Sequence, residues 1–193
     1  YSPDGRSAAI AAQDGTVGLV NLVTGEVAHL RGHRDQTYTV AFSADGRRIA
    51  SSGYGGEIKI WDAHNGREIN SISTGDTFIA NLRFAQDDTQ LVSSNDKGIM
   101  RWWNHQTGQP VKSIGDGATS TSNLIESGDQ IIFGSLAEQN VRIIRTDGEK
   151  RTILLSKPKE AIKGILISPS GEHVALADQS QTLTLWSLAT GQK

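Results

Sequence analysis

Histidine, serine and aspartate are the residues of this chain whose chemistry could support a metal site or a hydrolytic centre. Apart from His33, which is discussed below, the histidines show no metal-like spacing among themselves, and the chain has no cysteine. We therefore expect no metal site, and the missing cysteines also exclude disulfides, zinc ribbons and thiol catalysis. The histidines are His29, His33, His64, His105 and His173.

The aspartates that stand close to serines have a simpler interpretation than catalysis. Asp4 and Asp45 end the phrases Ser-Pro-Asp and Ser-Ala-Asp, each followed by glycine. Aspartate in such a position bonds to its own turn. The chain has no nucleophile elbow, phosphate-binding loop or paired-carboxylate motif. These observations predict a protein without catalytic residues and without a cofactor.

The charge and hydropathy of the chain limit the kinds of partner that we expect. The 193 residues carry 19 Lys and Arg against 21 Asp and Glu, which gives a formal net charge of −2. A nearly balanced charge provides no bulk field that would attract nucleic acid or an anionic membrane surface. No stretch of the sequence reaches the roughly 18 apolar residues of a membrane-spanning helix. We expect a soluble domain that binds neither nucleic acid nor membrane.

The sequence repeats with a period of about 42 residues. One phrase begins at positions separated by 41, 42, 41 and 42 residues, and a large apolar residue keeps the same intervals. Regular repetition at this length is typical of propellers. The phrases begin at Tyr1, Phe42, Phe84, Ile125 and Ile167, and the apolar residues are Val20, Trp61, Trp103, Ile144 and Trp186.

Each repeat alternates apolar and polar residues in short runs bounded by Gly, Asp and Asn, which is typical of strands joined by tight turns. Four short antiparallel strands in about 42 residues correspond to one blade of a β-propeller, so the predicted fold class is all-β. In the second repeat the predicted strands cover residues 37–42, 47–52, 57–61 and 67–72.

The second repeat resembles the WD40-repeat family. Gly32-His33 precedes its first strand, Phe42-Ser-Ala-Asp-Gly forms its first turn, and Ile58-Lys-Ile-Trp61-Asp62 closes its third strand. The other repeats are more degenerate but keep the same register, so the resemblance covers the whole chain. It implies a WD40-type propeller segment.

The predicted segment contains about 4.7 repeats. Its first repeat lacks an innermost strand and its last lacks an outermost strand, so we expect an open arc of three complete and two partial blades that belongs to a longer ring. Two unpaired blade edges would also permit dimerisation. The predicted boundaries within the single partial propeller, residues 1–193, are 1–32 (incomplete), 33–74, 75–116, 117–157 and 158–193 (incomplete).

The resemblance implies structural roles for several residues. In well-formed blades of this family a buried network joins His, Ser or Thr, Trp and Asp. Here Gly55 occupies the position of the Asp, so we expect an incomplete network built from His33, Trp61 and either Ser51 or Ser52. The predicted structural residues are His33, Ser51, Trp61, Asp62, Trp103 and Trp186.

The resemblance also implies a partner-binding top face, formed by the loops that enter each first strand and join each second strand to the third. Tyr38, Tyr54 and Phe78 are aromatic residues on this face where core packing does not require them, and with Arg34 nearby they are typical of an interaction hot spot. An alternative is that they only brace the loops. The predicted contact residues are Arg34, Gln36, Tyr38, Tyr54, Phe78, Asp96, Thr121, Lys163 and Gln179.

We therefore predict a non-catalytic scaffold that binds a protein or peptide, as the interaction region of a larger, cytoplasmic protein. The alternative is a propeller enzyme, either a hydrolase or a quinone-dependent dehydrogenase, with its active site in the central funnel. That alternative would require acids or metal ligands on the innermost strands. The sequences predicted for those strands, such as Thr37-Tyr-Thr-Val-Ala, contain almost none.

Overall fold

The computed structural model describes residues 1–85, 88–114, 123–127, 130–135, 140–145, 150–154, 162–168, 170–190 and 192. The regular structure of these residues is antiparallel β-sheet throughout, and each sheet follows chain order from one edge to the other. Within these ranges, no helical segment has the length and hydropathy that a membrane crossing requires.

The chain divides into two compact units, Tyr1–Asp116 and Gly117–Lys193. The first unit contains three sheets. Sheet 1 has β1 (Ser7–Ala11), β2 (Thr16–Asn21) and β3 (Val27–Arg31). Sheet 2 has β4 (Thr37–Phe42), β5 (Arg48–Gly53), β6 (Glu57–Asp62) and β7 (Glu68–Ser73). Sheet 3 has β8 (Ile79–Phe84), β9 (Gln90–Asn95), β10 (Met100–Asn104) and β11 (Pro110–Ile114).

The second unit contains two sheets. Sheet 4 has β12 (Asn123–Ser127), β13 (Gln130–Ser135), β14 (Asn140–Arg145) and β15 (Lys150–Leu154). Sheet 5 has β16 (Ile162–Ile167), β17 (His173–Asp178) and β18 (Leu183–Ser187). The predicted strand content, three sheets of four strands and two of three, is confirmed for the described residues. Each sheet lies within one of the five predicted segments, and the strands of sheet 2 lie within one residue of their predicted bounds.

Apolar side chains fill the spaces between the sheets of the first unit. Trp61 of sheet 2 packs with Val17 and Leu30 of sheet 1, so this ring joins neighbouring sheets. Trp103 of sheet 3 occupies the equivalent position against Ile58 and Ile60 of sheet 2. Both indoles are almost fully buried. Because a single four-stranded sheet is apolar on both faces, stacking of this kind makes neighbouring repeats depend on each other.

Candidate partner-binding surface

Three connecting segments of the first unit lie against each other: the β3–β4 loop, the β5–β6 turn and the β7–β8 loop. Tyr54 N donates to Gln36 O over 3.1 Å, and Gly55 N donates to Thr77 O over 2.8 Å. Tyr54 and Phe78 also form an isolated antiparallel bridge. Backbone hydrogen bonds therefore hold the three segments together independently of their side chains.

Glycines make this close approach of backbones possible. A Cβ at Gly53 would lie 2.2 Å from Gln36 O and 2.8 Å from Tyr38 N. Any larger residue at this position would therefore clash with the neighbouring backbone. Gly55 and Gly56 have φ values of +80° and +65°, which suit the central residues of a two-residue hairpin turn. The turn therefore presents Tyr54 next to the β3–β4 loop.

Tyr38, Tyr54 and Phe78 form an aromatic cluster on these segments. The Phe78 ring lies 4.9 Å from the Tyr38 ring in an edge-on arrangement and 4.7 Å from the Tyr54 ring, between centroids. Such ring pairs contribute about 0.5–1.5 kcal/mol beyond the area they bury. Tyr38 nevertheless remains 61% exposed and Tyr54 49% exposed, while Phe78 is half-buried. The cluster is both internally packed and accessible to a partner.

A β-bulge places Tyr38 on the surface. Tyr38 lies within β4, inside the predicted strand 37–42, and the pairing of β4 with β5 shifts between Thr37 and Thr39, a bulge that the sequence did not predict. The extra residue of a bulge is left out of the ladder, and its side chain is redirected. The same shift occurs at Ala80 in β8 and at Lys163 in β16. The recurring position was visible in the sequence, but the residue types there share no property that would indicate a bulge.

The other predicted contact residues are distributed more widely. Arg34 and Gln36 are exposed on the β3–β4 loop next to the cluster, and Asp96 is exposed in the turn after β9. Lys163 and Gln179 are exposed in the second unit. Thr121 lies outside the described residues. Of the nine predicted contact residues, Tyr38, Tyr54 and Phe78 are joined by ring contacts. The binding roles of all nine stay predictions.

A buried hydrogen-bond network lies beneath the β3–β4 loop. Ser51 Oγ lies 2.7 Å from His33 Nε2 and accepts a hydrogen bond of 2.7 Å from Trp61 Nε1. Ser51 is therefore the serine of this network, whereas Ser52 donates to Glu57 O. The indole of Trp103 makes the corresponding bond to Ser93 Oγ over 2.9 Å. Trp186 bonds instead to Thr184 Oγ1 over 3.3 Å.

Charged residues adjoin this network, which the sequence pattern did not indicate. Lys59 is buried and its Nζ lies 2.9 Å from Glu68 Oε2 and 3.5 Å from Glu57 Oε1. Glu57 Oε2 lies 3.9 Å from His33 Nδ1. Burial lowers the pKa of His33, and the nearby Glu57 partly opposes that effect. The incomplete network is thus supplemented by a carboxylate from β6.

The aspartates of the turns bond locally. Ser2 Oγ donates to Asp4 Oδ1 and Ser43 Oγ donates to Asp45 Oδ1, both over 2.6 Å. These hydrogen bonds lower the pKa of each carboxyl group. Asp62 accepts from the backbone N–H groups of Asn65 and His64, which lower its pKa in the same way. The described residues contain no cluster of His, Cys, Asp and Glu that could hold a metal ion.

His105 is a buried structural residue to which the sequence assigned no role. Its side chain lies between sheets 2 and 3, where Nε2 is 2.9 Å from Arg48 Nη1 and 2.9 Å from Asp88 O. Burial and the neighbouring Arg48 charge lower the pKa of this histidine. The Asp88 carboxylate in turn accepts from the backbone N–H groups of Ala44 and Asp45. No other repeat has histidine at this position, so periodicity could not reveal it.

Comparison with known proteins supports the repeat assignment. The family model for the WD domain, G-beta repeat, matches residues 25–62. A WD repeat-containing protein of Schistosoma mansoni, SL1-17, is 39% identical over 67 residues, 35% of this chain. The COMPASS component SWD3 of Saccharomyces cerevisiae is 33% identical over 73 residues, 38% of this chain. These alignments span only 22% and 23% of the two relatives.

A solved structure matches almost the whole chain. The β-propeller domain of Cps50 (Swd1) from Myceliophteria thermophila aligns with a TM-score of 0.80 at 18% identity, over 97% of this chain and 63% of that one. At this identity the match concerns the fold alone. Taken with the 42-residue period, the WD phrase of the second repeat and the sheet topology, these matches support a WD40 repeat at residues 25–62 and a β-propeller fold.

Proposed function

We propose that this chain is a non-catalytic scaffold and that a protein or peptide binds to it through the cluster of Tyr38, Tyr54 and Phe78. The observation that carries the proposal is the exposure of Tyr38 and Tyr54 despite their packing on Phe78. Aromatic residues fixed by neighbours lose little entropy when a partner covers them, which is why they dominate many interfaces.

The relatives support the same class of function. One of them is named as a component of COMPASS, which makes it a subunit of an assembly. Arg34 and Gln36 adjoin the cluster on an exposed loop and would form the polar rim of the interface. The proposal also includes a cytoplasmic location and four further predicted contacts, Asp96, Thr121, Lys163 and Gln179.

A catalytic function receives less support. The first strands of sheets 2, 3 and 5 have the sequences TYTVAF, IANLRF and IKGILI, which contain no His, Cys, Asp or Glu. These four residue types are the commonest proton carriers and metal ligands, and the first strand of sheet 4, NLIES, adds one of them, Glu126. The scaffold function is therefore the one we propose.

Binding measurements on matched variants test the proposal. A peptide is selected from a random display library on the immobilised 193-residue chain, and its affinity is measured for the unmodified protein, Tyr38→Ala and Ile69→Ala. Ile69 is a suitable control because it is 55% exposed on the outer strand β7, close to the 61% of Tyr38. We expect Tyr38→Ala to weaken binding about tenfold or more, since a hot-spot residue contributes at least about 1.4–2 kcal/mol.

The thermal midpoint of each variant separates binding from stability. Tyr38→Ala should leave the midpoint close to that of Ile69→Ala. Equal weakening of binding by both variants, or a loss of binding that follows the loss of stability, would contradict the proposal. So would a selection that yields only peptides indifferent to Tyr38.

A further inference from the structure

Two residues of the buried network lie at the bases of segments that carry the proposed docking surface. His33 directly precedes Arg34 in the β3–β4 loop, and Glu57 directly follows the turn that presents Tyr54. The 3.9 Å separation of His33 Nδ1 and Glu57 Oε2 therefore connects the loop to the turn. The His33 side chain is 4% exposed, whereas that of Glu57 is 35% exposed and reaches solvent.

The hydrogen bonds of the network have a direction that depends on the protonation of His33. Trp61 Nε1 can only donate, so the lone pair of Ser51 Oγ accepts from it. The Ser51 hydroxyl proton is then free to be donated to Nε2 of a neutral imidazole, 2.7 Å away. This arrangement puts the remaining ring proton on Nδ1, the nitrogen that faces Glu57. The hydrogen bonds therefore run in one direction, from Trp61 to Ser51 and from Ser51 to neutral His33.

Protonation of His33 would disrupt this chain of hydrogen bonds at one end and create a new attraction at the other. A protonated Nε2 must donate, so Ser51 would lose the acceptor for its own proton. At the same time the Nδ1–H group would carry a positive charge toward Glu57. A charge-assisted bond is shorter, about 2.7–2.9 Å, so closure from 3.9 Å requires the His33 ring and the Glu57 carboxylate to approach each other by about 1 Å.

Charged neighbours from two strands oppose or favour that shift. Lys59 of β6 lies 3.5 Å from Glu57 and competes with His33 for its carboxylate, and Ser71 Oγ of β7 donates to Glu57 Oε1 over 2.9 Å. Glu68 of β7 holds Lys59 in place at 2.9 Å. Burial is the largest influence lowering the pKa of His33, Lys59 lowers it further, and Glu57 and Glu68 raise it.

We propose that His33 and Glu57 form a pH-sensitive latch that sets the relative position of the β3–β4 loop and the β5–β6 turn, and so the shape of the docking surface. Above the pKa of His33 the donor chain through Ser51 holds the loop as observed. Below that pKa the His33–Glu57 ion pair holds a shifted loop. The consequence for a partner rests on the docking function proposed above, but the latch itself is measurable without any partner.

Nuclear magnetic resonance titration of the 193-residue chain tests the latch. The His33 ring carbon and the backbone amides of Arg34, Gln36, Tyr38 and Tyr54 are followed from pH 7.5 to pH 5. We expect the amides to shift with the midpoint of the His33 ring, which burial holds below the ordinary pKa of histidine. Glu57→Gln keeps the bond from Ser71 but removes the negative charge, so the midpoint should move to lower pH. His64→Gln, which replaces an exposed histidine of the β6–β7 turn, should leave it unchanged.

Several results would overturn the latch. Amide shifts with a midpoint different from that of His33, or an unchanged midpoint in Glu57→Gln, would exclude the coupling. Global unfolding that accompanies His33 protonation would also exclude it, because the loop would then have no separate folded state. Because Glu57 is partly exposed, Glu57→Gln tests the latch without replacing the buried His33. Peptide binding by Tyr38→Ala tests the docking function, and the titration tests the latch. Either proposal can therefore fail without the other.

Discussion

Replacement of Ser51 by alanine tests how the buried network stabilises the first unit. The substitution removes the acceptor of Trp61 Nε1 and the hydrogen-bond partner of His33 Nε2 in one step. Both groups lie in a space from which water is excluded, since Trp61 is 1% exposed. A buried polar group left without a partner costs about 1–3 kcal/mol. We therefore expect the free energy of unfolding to fall by roughly 2–6 kcal/mol.

Sheet 3 provides a matched control for this substitution. Ser93 lies 42 residues after Ser51 and accepts the same indole bond, from Trp103 over 2.9 Å. The residue equivalent to His33 in that repeat is Gly75, so Ser93→Ala leaves one buried group without a partner and should cost roughly 1–3 kcal/mol. The difference between the two variants estimates the contribution of the His33–Ser51 bond.

Urea unfolding, followed by tryptophan fluorescence, measures both variants. The slope with urea should stay the same as in the unmodified protein, since the surface exposed on unfolding does not change. Equal losses in Ser51→Ala and Ser93→Ala would refute the reasoning, because they would mean that His33 gains nothing from Ser51. A double-mutant cycle with His33→Ala gives the same quantity independently.

Two further predictions concern Gly53, at the start of the β5–β6 turn, and the buried histidine His105. Gly53→Ala should destabilise the chain by about 1–3 kcal/mol, because the new Cβ would meet the backbone at Gln36 and Tyr38, whereas Gly18→Ala, whose nearest atoms are 3.9 Å and 4.0 Å away, should not. Equal thermal midpoints for the two variants would contradict this. The pKa of His105 is lower in the folded state than in the unfolded state, so the unfolded state binds more protons as the pH falls. The stability that neutral His105 contributes is therefore fully present above about pH 6.5 and is lost as the pH falls through the folded-state pKa. His105→Gln should therefore lose less of its free energy of unfolding between about pH 6.5 and the folded-state pKa than His29→Gln, which replaces an exposed histidine. Parallel plots of stability against pH for the two variants would contradict this prediction.

The fold followed from the sequence because its determinants are periodic. Each turn phrase and each large apolar residue recurs about every 42 positions, so the repeats reinforce one interpretation even where a single repeat is degenerate. Trp61 and Trp103 could be assigned to the spaces between sheets for the same reason. Sheets 1 and 5 have three strands each, as predicted for the two incomplete repeats.

The parts that the sequence did not indicate are those that occur once. His105 contacts Arg48, a residue 57 positions earlier, and neither residue type recurs at the equivalent position of another repeat. The Glu57–Lys59–Glu68 cluster depends on cross-strand register between β6 and β7, which periodicity alone does not specify. The bulge at Tyr38 recurs in position but not in residue type, so the alternating pattern placed Tyr38 in a strand without indicating the bulge.

The central claim, that a partner binds to the aromatic cluster, is tested most directly by mapping where a bound peptide protects the chain. Hydrogen exchange is measured on the unmodified protein with and without the selected peptide. We predict increased protection in residues 34–38, 54–56 and 76–78, the three segments that the backbone bonds hold together. Protection confined to the outer strands β3, β7 and β11, with these segments unchanged, would contradict the claim.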